Sequence, residues 1–128
     1  MSNAQLCEGI VALRPFVPSK DFEVSKRFYA DLGFEVAPLG DGVAEVNVGT
    51  FAFLLQNYYV EAWAGNFMMH MLVTNLDDWW AYVSSLDLAS RYGVREPSEP
   101  VVQPWGLRVA YVVDPSGVLW HFAEQPRA

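Results

Sequence analysis

The chain has 128 residues, a length that fits one domain able to bury a sizeable core. Because 52% of its residues are hydrophobic and 18% are charged, we expect a folded protein, and no apolar run reaches the roughly 20 residues that span a bilayer. A membrane is therefore not an expected partner. The net charge of −7 opposes binding to phosphate backbones, so nucleic acid is not expected either, whereas a cationic or planar ligand suits an acidic surface.

The N-terminal residues have neither the basic start nor the apolar stretch of a signal peptide, so we expect a cytoplasmic protein. Cys7 is the only cysteine, which excludes an internal disulfide and a thiolate metal cluster. A mostly apolar stretch from Ile10 to Val17 predicts a strand. Pro15 and Pro18 indicate that this strand lies near a sheet edge and stops at Pro18.

A helix is predicted next, with Asp21 as its N-cap and Gly33 as its stop signal. Its apolar positions recur at helical spacing: Phe22, Val24, Phe28, Tyr29 and Leu32. Three strands are then predicted, separated by glycine-containing turns; they lie near Phe34–Pro38, Val43–Val48 and Phe51–Gln56. The first half therefore has the order βαβββ.

The second half begins with the same order. A strand is predicted from Phe67 to Thr74, followed by a helix from Leu76 or Asp77 to about Leu88. A polar, proline-containing connection from Ser90 to Gln103 follows, in which short strands are predicted around Val94 and Val101.

Two further strands close the second half, from Leu107 to Val113 and from Val118 to Glu124, and the tight-turn sequence Asp114-Pro115-Ser116-Gly117 joins them. The pattern predicts an α+β fold of two tandem βαβββ modules, at about 8–57 and 66–125 of a single domain, 1–128. Neither module alone would bury both faces of its sheet.

Sequence motifs along most of the chain resemble one family. The C-terminal part contains Pro-Trp-Gly at 104–106, the Asp-Pro-Ser-Gly turn and His-Phe at 121–122. The N-terminal part contains Ser25, Phe28-Tyr29 and Leu32-Gly33-Phe34, and Asn75-Leu76-Asp77 precedes the second helix. With these motifs the chain resembles the bleomycin-resistance branch of the vicinal-oxygen-chelate superfamily, which also contains glyoxalases and dioxygenases.

The resemblance implies curved mixed sheets around a cleft, and a homodimer with its clefts at the subunit interface. In the resistance proteins the first strand is commonly exchanged between subunits, and Pro15 and Pro18 are compatible with an exchange hinge.

The family's enzymes hold a divalent metal with His, Glu or Gln side chains from both modules. At the matching positions this chain offers Ala12 or Arg14, Phe53 or Leu54, and Met68, none of which suits such a metal. His121 alone keeps a donor, although a slipped register would add His70. No nucleophile with a base is evident either, so we predict no metal, no cofactor and no enzyme activity, with a metal-dependent enzyme of the same fold as the alternative.

Aromatic residues instead predict a binding surface. Tyr58, Tyr59 and Trp63 fall in a polar connection, where they line either a pocket or a dimer interface, or cap the core. Phe53 is a further candidate, with a core position as the favoured alternative.

Trp105 is the strongest candidate, because the family's tryptophan in this motif stacks on flat drug rings. His70 lies at a family position held by a ligand-facing aromatic residue, and a core histidine is the alternative. His121 completes the expected lining. Arg108 either donates to a ligand or pairs with an acidic neighbour.

Together these features predict a protein that sequesters an antibiotic. The expected ligand is a planar aromatic drug that binds DNA, either a bleomycin-like glycopeptide or a peptide intercalator with quinoline or quinoxaline rings. Besides the metal-dependent enzyme, a non-catalytic accessory protein of a biosynthetic pathway remains an alternative.

Overall fold

The chain forms two four-stranded mixed sheets of the same topology, and the computed structural model describes residues 2–126. The first half contains α1 (Asn3–Glu8), β1 (Phe16–Pro18), α2 (Phe22–Asp31), β2 (Glu35–Gly40), β3 (Val43–Val48) and β4 (Phe51–Gln56). The second half contains α3 (Glu61–Ala64), β5 (Met68–Val73), α4 (Leu76–Ser85), α5 (Leu88–Tyr92), β6 (Ser98–Val102), β7 (Arg108–Val113) and β8 (Leu119–Glu124). These elements confirm the predicted α+β fold.

Each sheet joins one parallel pair to an antiparallel meander. The order is β1-β4-β3-β2 in the first sheet and β5-β8-β7-β6 in the second sheet. The parallel pairs are β1 with β4 and β5 with β8, each linked through the helix of its own half. The repeat that the sequence pattern predicted is therefore a repeat of topology.

The N-terminal part differs from the prediction. The strand expected over 10–17 covers only Phe16–Pro18, and residues 9–15 form an exposed segment with no regular structure, the N-terminal arm. Before the arm, a capping box between Ser2 and Gln5 starts the unpredicted helix α1.

The helix α2 begins and ends as predicted. The Asp21 side chain accepts a hydrogen bond from the Val24 backbone N–H, and Gly33 follows the helix with φ 95°. Among residues 2–126, no helix combines the length and the hydropathy needed to cross a membrane.

The predicted helix up to Leu88 is wrong in its last turn. The helix α4 ends at Ser85, and Asp87 takes a left-handed conformation (φ 53°) before the separate helix α5 begins. The short strand expected around Val94 is also wrong, because the only strand of this connection within the described residues is β6.

One core joins the two sheets. The inner face of the first sheet contributes Val46, Phe53 and Leu55, and that of the second contributes Trp120 and Phe122, all buried in the same cluster. The rings of Phe53 and Trp120 meet at a centroid distance of 5.6 Å. Because side chains alternate along a strand, the residues between these core positions point to the opposite, outer faces of the sheets.

Candidate ligand-binding site

Two histidines and a tyrosine share the outer face of the second sheet. The parallel pairing of β5 with β8 places His70 beside His121, and the antiparallel pairing of β7 with β8 places Tyr111 beside His121. The ring centroid of His121 lies 5.7 Å from that of His70 and 4.9 Å from that of Tyr111. Three strands of one sheet therefore hold these rings on a rigid surface.

Trp105 adds a fourth ring from the loop between β6 and β7. The loop closes through a hydrogen bond from Gln103 N–H to Leu107 C=O (2.8 Å), and Gly106 provides the positive φ (102°) that its turn needs. The Trp105 and His121 rings are nearly parallel, at 22°, with centroids 6.2 Å apart. We call His70, Trp105, Tyr111 and His121 the ring cluster.

The ring cluster is open to ligands. Trp105 is 56% exposed, a large fraction for an indole ring, although its other face lies over His121. Within residues 2–126, no residue forms a hydrogen bond with either imidazole, so the ring nitrogens of His70 and His121 are available. Burial, and next the nearby His70, lower the pKa of His121 from the usual 6.5, so this imidazole is neutral at pH 7.

An apolar groove adjoins the cluster where the first sheet faces β5. It encloses about 300 Å³ and is lined by Val48, Phe51, Ala52, Phe53, Met69, His70, Met71, Leu72 and Trp120. This volume is at the lower end of the range for small-molecule sites. His70 belongs to both the groove and the ring cluster, so the two surfaces are continuous.

The loop aromatics predicted for the site lie elsewhere on the chain. Tyr58 and Tyr59 follow the C-terminal end of β4, where the Lys20 ammonium lies 5.8 Å from the Tyr59 ring centroid. Trp63 is in α3 and is 68% exposed. Among the described residues, no aromatic contact joins any of these three rings to the ring cluster, so their place in the site remains a prediction.

Phe53 and Arg108, two further residues of the predicted site, make contacts within the protein itself. Phe53 is 1% exposed and packs edge-on against Tyr29, the core position that the sequence favoured; it also lines the groove, so its contact with a ligand stays a prediction. Arg108 forms ion pairs with Asp77 (2.8 Å) and Glu124 (2.9 Å), the alternative to ligand binding that the sequence left open.

The donor set does not fit a resident catalytic metal. Within residues 2–126, no group of three or more His, Cys, Asp or Glu side chains is placed to hold an ion. The ring cluster offers two imidazoles, whereas catalytic zinc sites use three protein ligands. No catalytic step through a protein-held metal can be derived from this arrangement.

Tyr111 is the member of the ring cluster that sequence reasoning missed. The Asp-Pro-Ser-Gly turn fixes the register of β7 on β8, with Val113 opposite Leu119, and this register places Tyr111 opposite His121. Counting back from the turn would have found it.

Solved structures with this fold include both binding proteins and an enzyme. A bleomycin-binding protein in complex with bleomycin is 22% identical, with a TM-score of 0.78 over 91% of this chain and 100% of that chain. A bleomycin resistance determinant encoded on the transposon Tn5 is 21% identical, with a TM-score of 0.72 over 92% of this chain and 100% of that one. Lactoylglutathione lyase from Agrobacterium tumefaciens is 16% identical, with a TM-score of 0.65 over 90% and 94% of the two chains.

At these identities the likeness establishes the fold alone. No curated protein sequence shows significant similarity to the chain. A family model described as the glyoxalase/bleomycin resistance protein/dioxygenase superfamily matches residues 10–122, which is most of the sequence. The chain therefore belongs to the glyoxalase/bleomycin resistance protein/dioxygenase superfamily.

Proposed function

We propose that this protein sequesters a planar aromatic antibiotic in the cytoplasm and binds it without changing it. The observation that carries the proposal is the ring cluster, in which the half-exposed indole of Trp105 lies over His121 on a rigid sheet face. Flat rings of this kind gain about 0.5–1.5 kcal/mol from each stacked contact, beyond the gain from burial. The structural neighbours that bind bleomycin or confer resistance to it support the same reading.

The chemistry of the cluster favours binding over catalysis. The two imidazoles have no carboxylate to orient them, since the described residues place no third acidic or metal-binding group with the pair. No serine or cysteine belongs to the ring cluster, so no nucleophile and base act together there. Sequestration needs no turnover, but it does need a Kd near or below about 1 μM, or about 8 kcal/mol of binding free energy.

The negative charge of the protein favours a cationic ligand. A net charge of −7 raises the local concentration of cations, which suits a drug with a basic tail. Bleomycin-like glycopeptides have such tails, and peptide intercalators with quinoline or quinoxaline rings match the flat side chains. Both drug classes fit the proposal.

We also propose a homodimer in which the N-terminal arm is exchanged between subunits. The arm leaves Val11 98% and Leu13 93% exposed, a cost in apolar surface that a second subunit would remove. At the C-terminal end of the arm, the Pro15 C=O accepts a hydrogen bond from the Leu54 N–H, which attaches the arm to β4. A partner's first sheet could then complete the cleft and supply the volume that the groove of one chain lacks.

Titration of tryptophan fluorescence with a panel of aromatic antibiotics tests the binding proposal. We expect quenching with a micromolar or lower Kd for at least one planar drug, and Trp105→Ala should weaken the affinity about 10-fold or more. Trp80→Phe is the control, because it removes another indole, on α4 and outside the ring cluster. Full affinity in Trp105→Ala would remove the proposed role of this ring, and chemical change of the drug on incubation would point to an enzyme instead.

Light scattering coupled to size exclusion tests the dimer. The intact chain should elute as a dimer, and deletion of residues 2–13 should shift it toward the monomer while circular dichroism shows a retained fold. A wild-type protein that stays monomeric at 100 μM, about the highest practical concentration, would contradict the exchange.

A further inference from the structure

A second groove lies between two helices, away from the ring cluster. This α2–α5 groove encloses about 560 Å³ and is lined by Val24, Arg27, Ala30, Asp31, Arg91 and Tyr92. Its volume is in the middle of the range for small-molecule sites. Phe28 and Tyr29 of α2 are buried in the core together with Trp120 of β8, so the core separates this groove from the outer sheet face that carries the ring cluster.

Two arginines give the α2–α5 groove a positive lining. Arg27 and Asp31 are four residues apart on one side of α2, and Arg91 of α5 lines the same groove. Two positive charges therefore meet one negative charge here, in a chain whose net charge is −7. Burial and Asp31 raise the pKa of Tyr92 to about 12, and Arg91 and Arg27 oppose this shift, so both guanidinium groups lie near the Tyr92 hydroxyl.

The Asp31 carboxylate is already paired and holds Arg91 in place. Its Oδ2 atom accepts hydrogen bonds from Arg91 Nη2 (2.5 Å) and from the Tyr92 hydroxyl. The Arg91 guanidinium also lies over the Tyr92 ring, 5.5 Å from its centroid, and this ring packs edge-on against Phe28 at a centroid distance of 5.2 Å. An arginine that is held in this way loses little conformational freedom when it binds an anion.

Arg27 has no partner among residues 2–126: its side chain forms neither an ion pair nor a hydrogen bond there. A guanidinium group has five N–H donors in a planar fork that matches carboxylate and phosphate oxygens. A phosphate monoester has three terminal oxygens and a charge near −2 at pH 7, so it can bind two arginines at once. A carboxylate has two oxygens and one charge, and therefore matches the pair less well.

We propose that Arg27 and Arg91 bind a small organic phosphate in the α2–α5 groove. The phosphate accepts hydrogen bonds from both guanidinium groups, and the organic part lies against Val24 and Ala30. No covalent bond forms or breaks. The site is independent of the proposed drug binding, because none of its residues belongs to the ring cluster, and it gives the protein a second class of ligand.

Phenyl phosphate is the probe, and two-dimensional ¹H–¹⁵N NMR at about 0.15 M salt is the measurement, because exposed charges more than about 8 Å apart are then largely screened. We expect saturable shifts of the backbone amides of α2 and α5, with a Kd of about 1 mM or below. Phenol, which has the ring without the phosphate, should not shift these amides.

Two further ligands test the chemical class. Benzoate and inorganic phosphate should each bind the groove at least about 3-fold more weakly than phenyl phosphate, since benzoate lacks the third oxygen and inorganic phosphate lacks the apolar part. Benzoate that binds as tightly as phenyl phosphate would overturn the preference for a phosphate. Inorganic phosphate that binds as tightly would overturn the organic part of the ligand.

Variants of neighbouring cations separate a site from general attraction between charges. Arg27→Gln should weaken phenyl phosphate at least about 5-fold, and Arg27→Lys, which keeps the charge without the planar fork, should give an intermediate Kd. Lys26→Gln removes the same charge from the same helix, but Lys26 pairs with Glu23 and does not line the groove, so its Kd should stay within about 2-fold of the wild type. Arg27 is exposed and unpaired within the described residues, so Arg27→Gln should fold.

Two results would overturn the site. Equal weakening in Arg27→Gln and Lys26→Gln would show that the ligand responds to charge in general. Shifts confined to the amides around His121 and Trp105, with none in α2 or α5, would place phenyl phosphate at the ring cluster, and that result would leave the proposed drug binding intact.

Discussion

His121 has a different environment from that of a surface histidine. It lies between Tyr111 and Trp105 on one sheet face, with the His70 imidazole on the next strand. Partial burial removes water that would stabilise an imidazolium, and a second positive charge on His70 would oppose it further. Both effects lower the pKa of His121, in that order of size.

The free energy of unfolding should therefore decrease as the pH falls, because of protonation at His121. The unfolded chain takes up a proton at His121 near pH 6.5, whereas the folded protein takes it up at a lower pH. Between these values the unfolded state binds more protons, so the free energy of unfolding decreases as the pH falls below 6.5. Urea unfolding at pH 7.5 and pH 5.5, about one unit either side of the unfolded value, should show a larger loss in the wild type than in His121→Asn. Equal losses in the two proteins would contradict the lowered pKa.

Single residues of the site differed in how far the sequence revealed them. Trp105 and His121 followed from motifs, and the tight turn before β8 was enough to locate Tyr111, although it was overlooked. The pairing of His70 with His121 could not be found by counting residues from a turn, since β5 and β8 are parallel and no short turn fixes their register.

Among the elements, the hairpin of β7 and β8 carries half of the ring cluster, Tyr111 and His121. Its turn is held by Asp114, whose carboxylate accepts hydrogen bonds from the Ser116 N–H (2.8 Å) and the Val118 N–H (2.9 Å). Gly117 completes the turn with φ 92°. A side chain at Gly117 would meet open space, so the cost of adding one is conformational.

Gly117→Ala should lower the free energy of unfolding by about 1–2 kcal/mol, because alanine is strained at this φ. Gly65→Ala is the comparison for backbone conformation: Gly65 has φ −68°, which alanine adopts readily, but its new Cβ would lie 3.3 Å from the Glu61 carbonyl oxygen, so we expect a cost that is smaller than that of Gly117→Ala and not zero. Urea denaturation followed by circular dichroism measures both. Equal effects in the two variants would show that the Gly117 conformation carries no special cost.

Elements with a complete local signal were predicted well, and those that depend on distant partners were not. The helix α2 has a cap, an apolar stripe and a glycine stop, and the observed helix matches all three. The break at Asp87 was missed because the apolar spacing continues through Leu86 and Leu88, on both sides of it. The length of β1 depends on how far the arm stays beside β4, which no local residue determines.

On the scale of the whole molecule, a buried hydrogen-bond chain ties the two halves together. Tyr29 of α2 donates from its hydroxyl to Asp114 (2.5 Å) and accepts from the Trp120 indole N–H (3.1 Å). Burial raises the pKa of Asp114, and the carboxyl depends on these partners for its hydrogen bonds. The Lys20 backbone N–H also donates to the Ser116 hydroxyl (2.8 Å), so the first half supports the turn of the second half at two points.

Tyr29→Phe should destabilise both halves together, by about 2 kcal/mol, because it removes the partner of one buried Asp114 oxygen and of the Trp120 indole N–H. Fluorescence, which reports tryptophans of the second half, and circular dichroism, which reports all elements, should show one coincident urea transition at lower midpoint. Phe28→Leu, also in α2 and buried but without a hydroxyl, serves as a packing control. Two separate transitions in Tyr29→Phe would contradict a shared cooperative unit.

The domain boundaries and the proposed homodimer remain predictions. The core that the two halves share nevertheless has a consequence for how a protein of this fold could arise or be engineered. Since Phe53 and Trp120 come from opposite repeats and shield each other from water, a gene cut between the repeats would yield two insoluble fragments. If the proposed function holds, new ligand preferences should therefore be sought by changing rings on the outer surface of an intact chain, and not by recombining halves from different relatives.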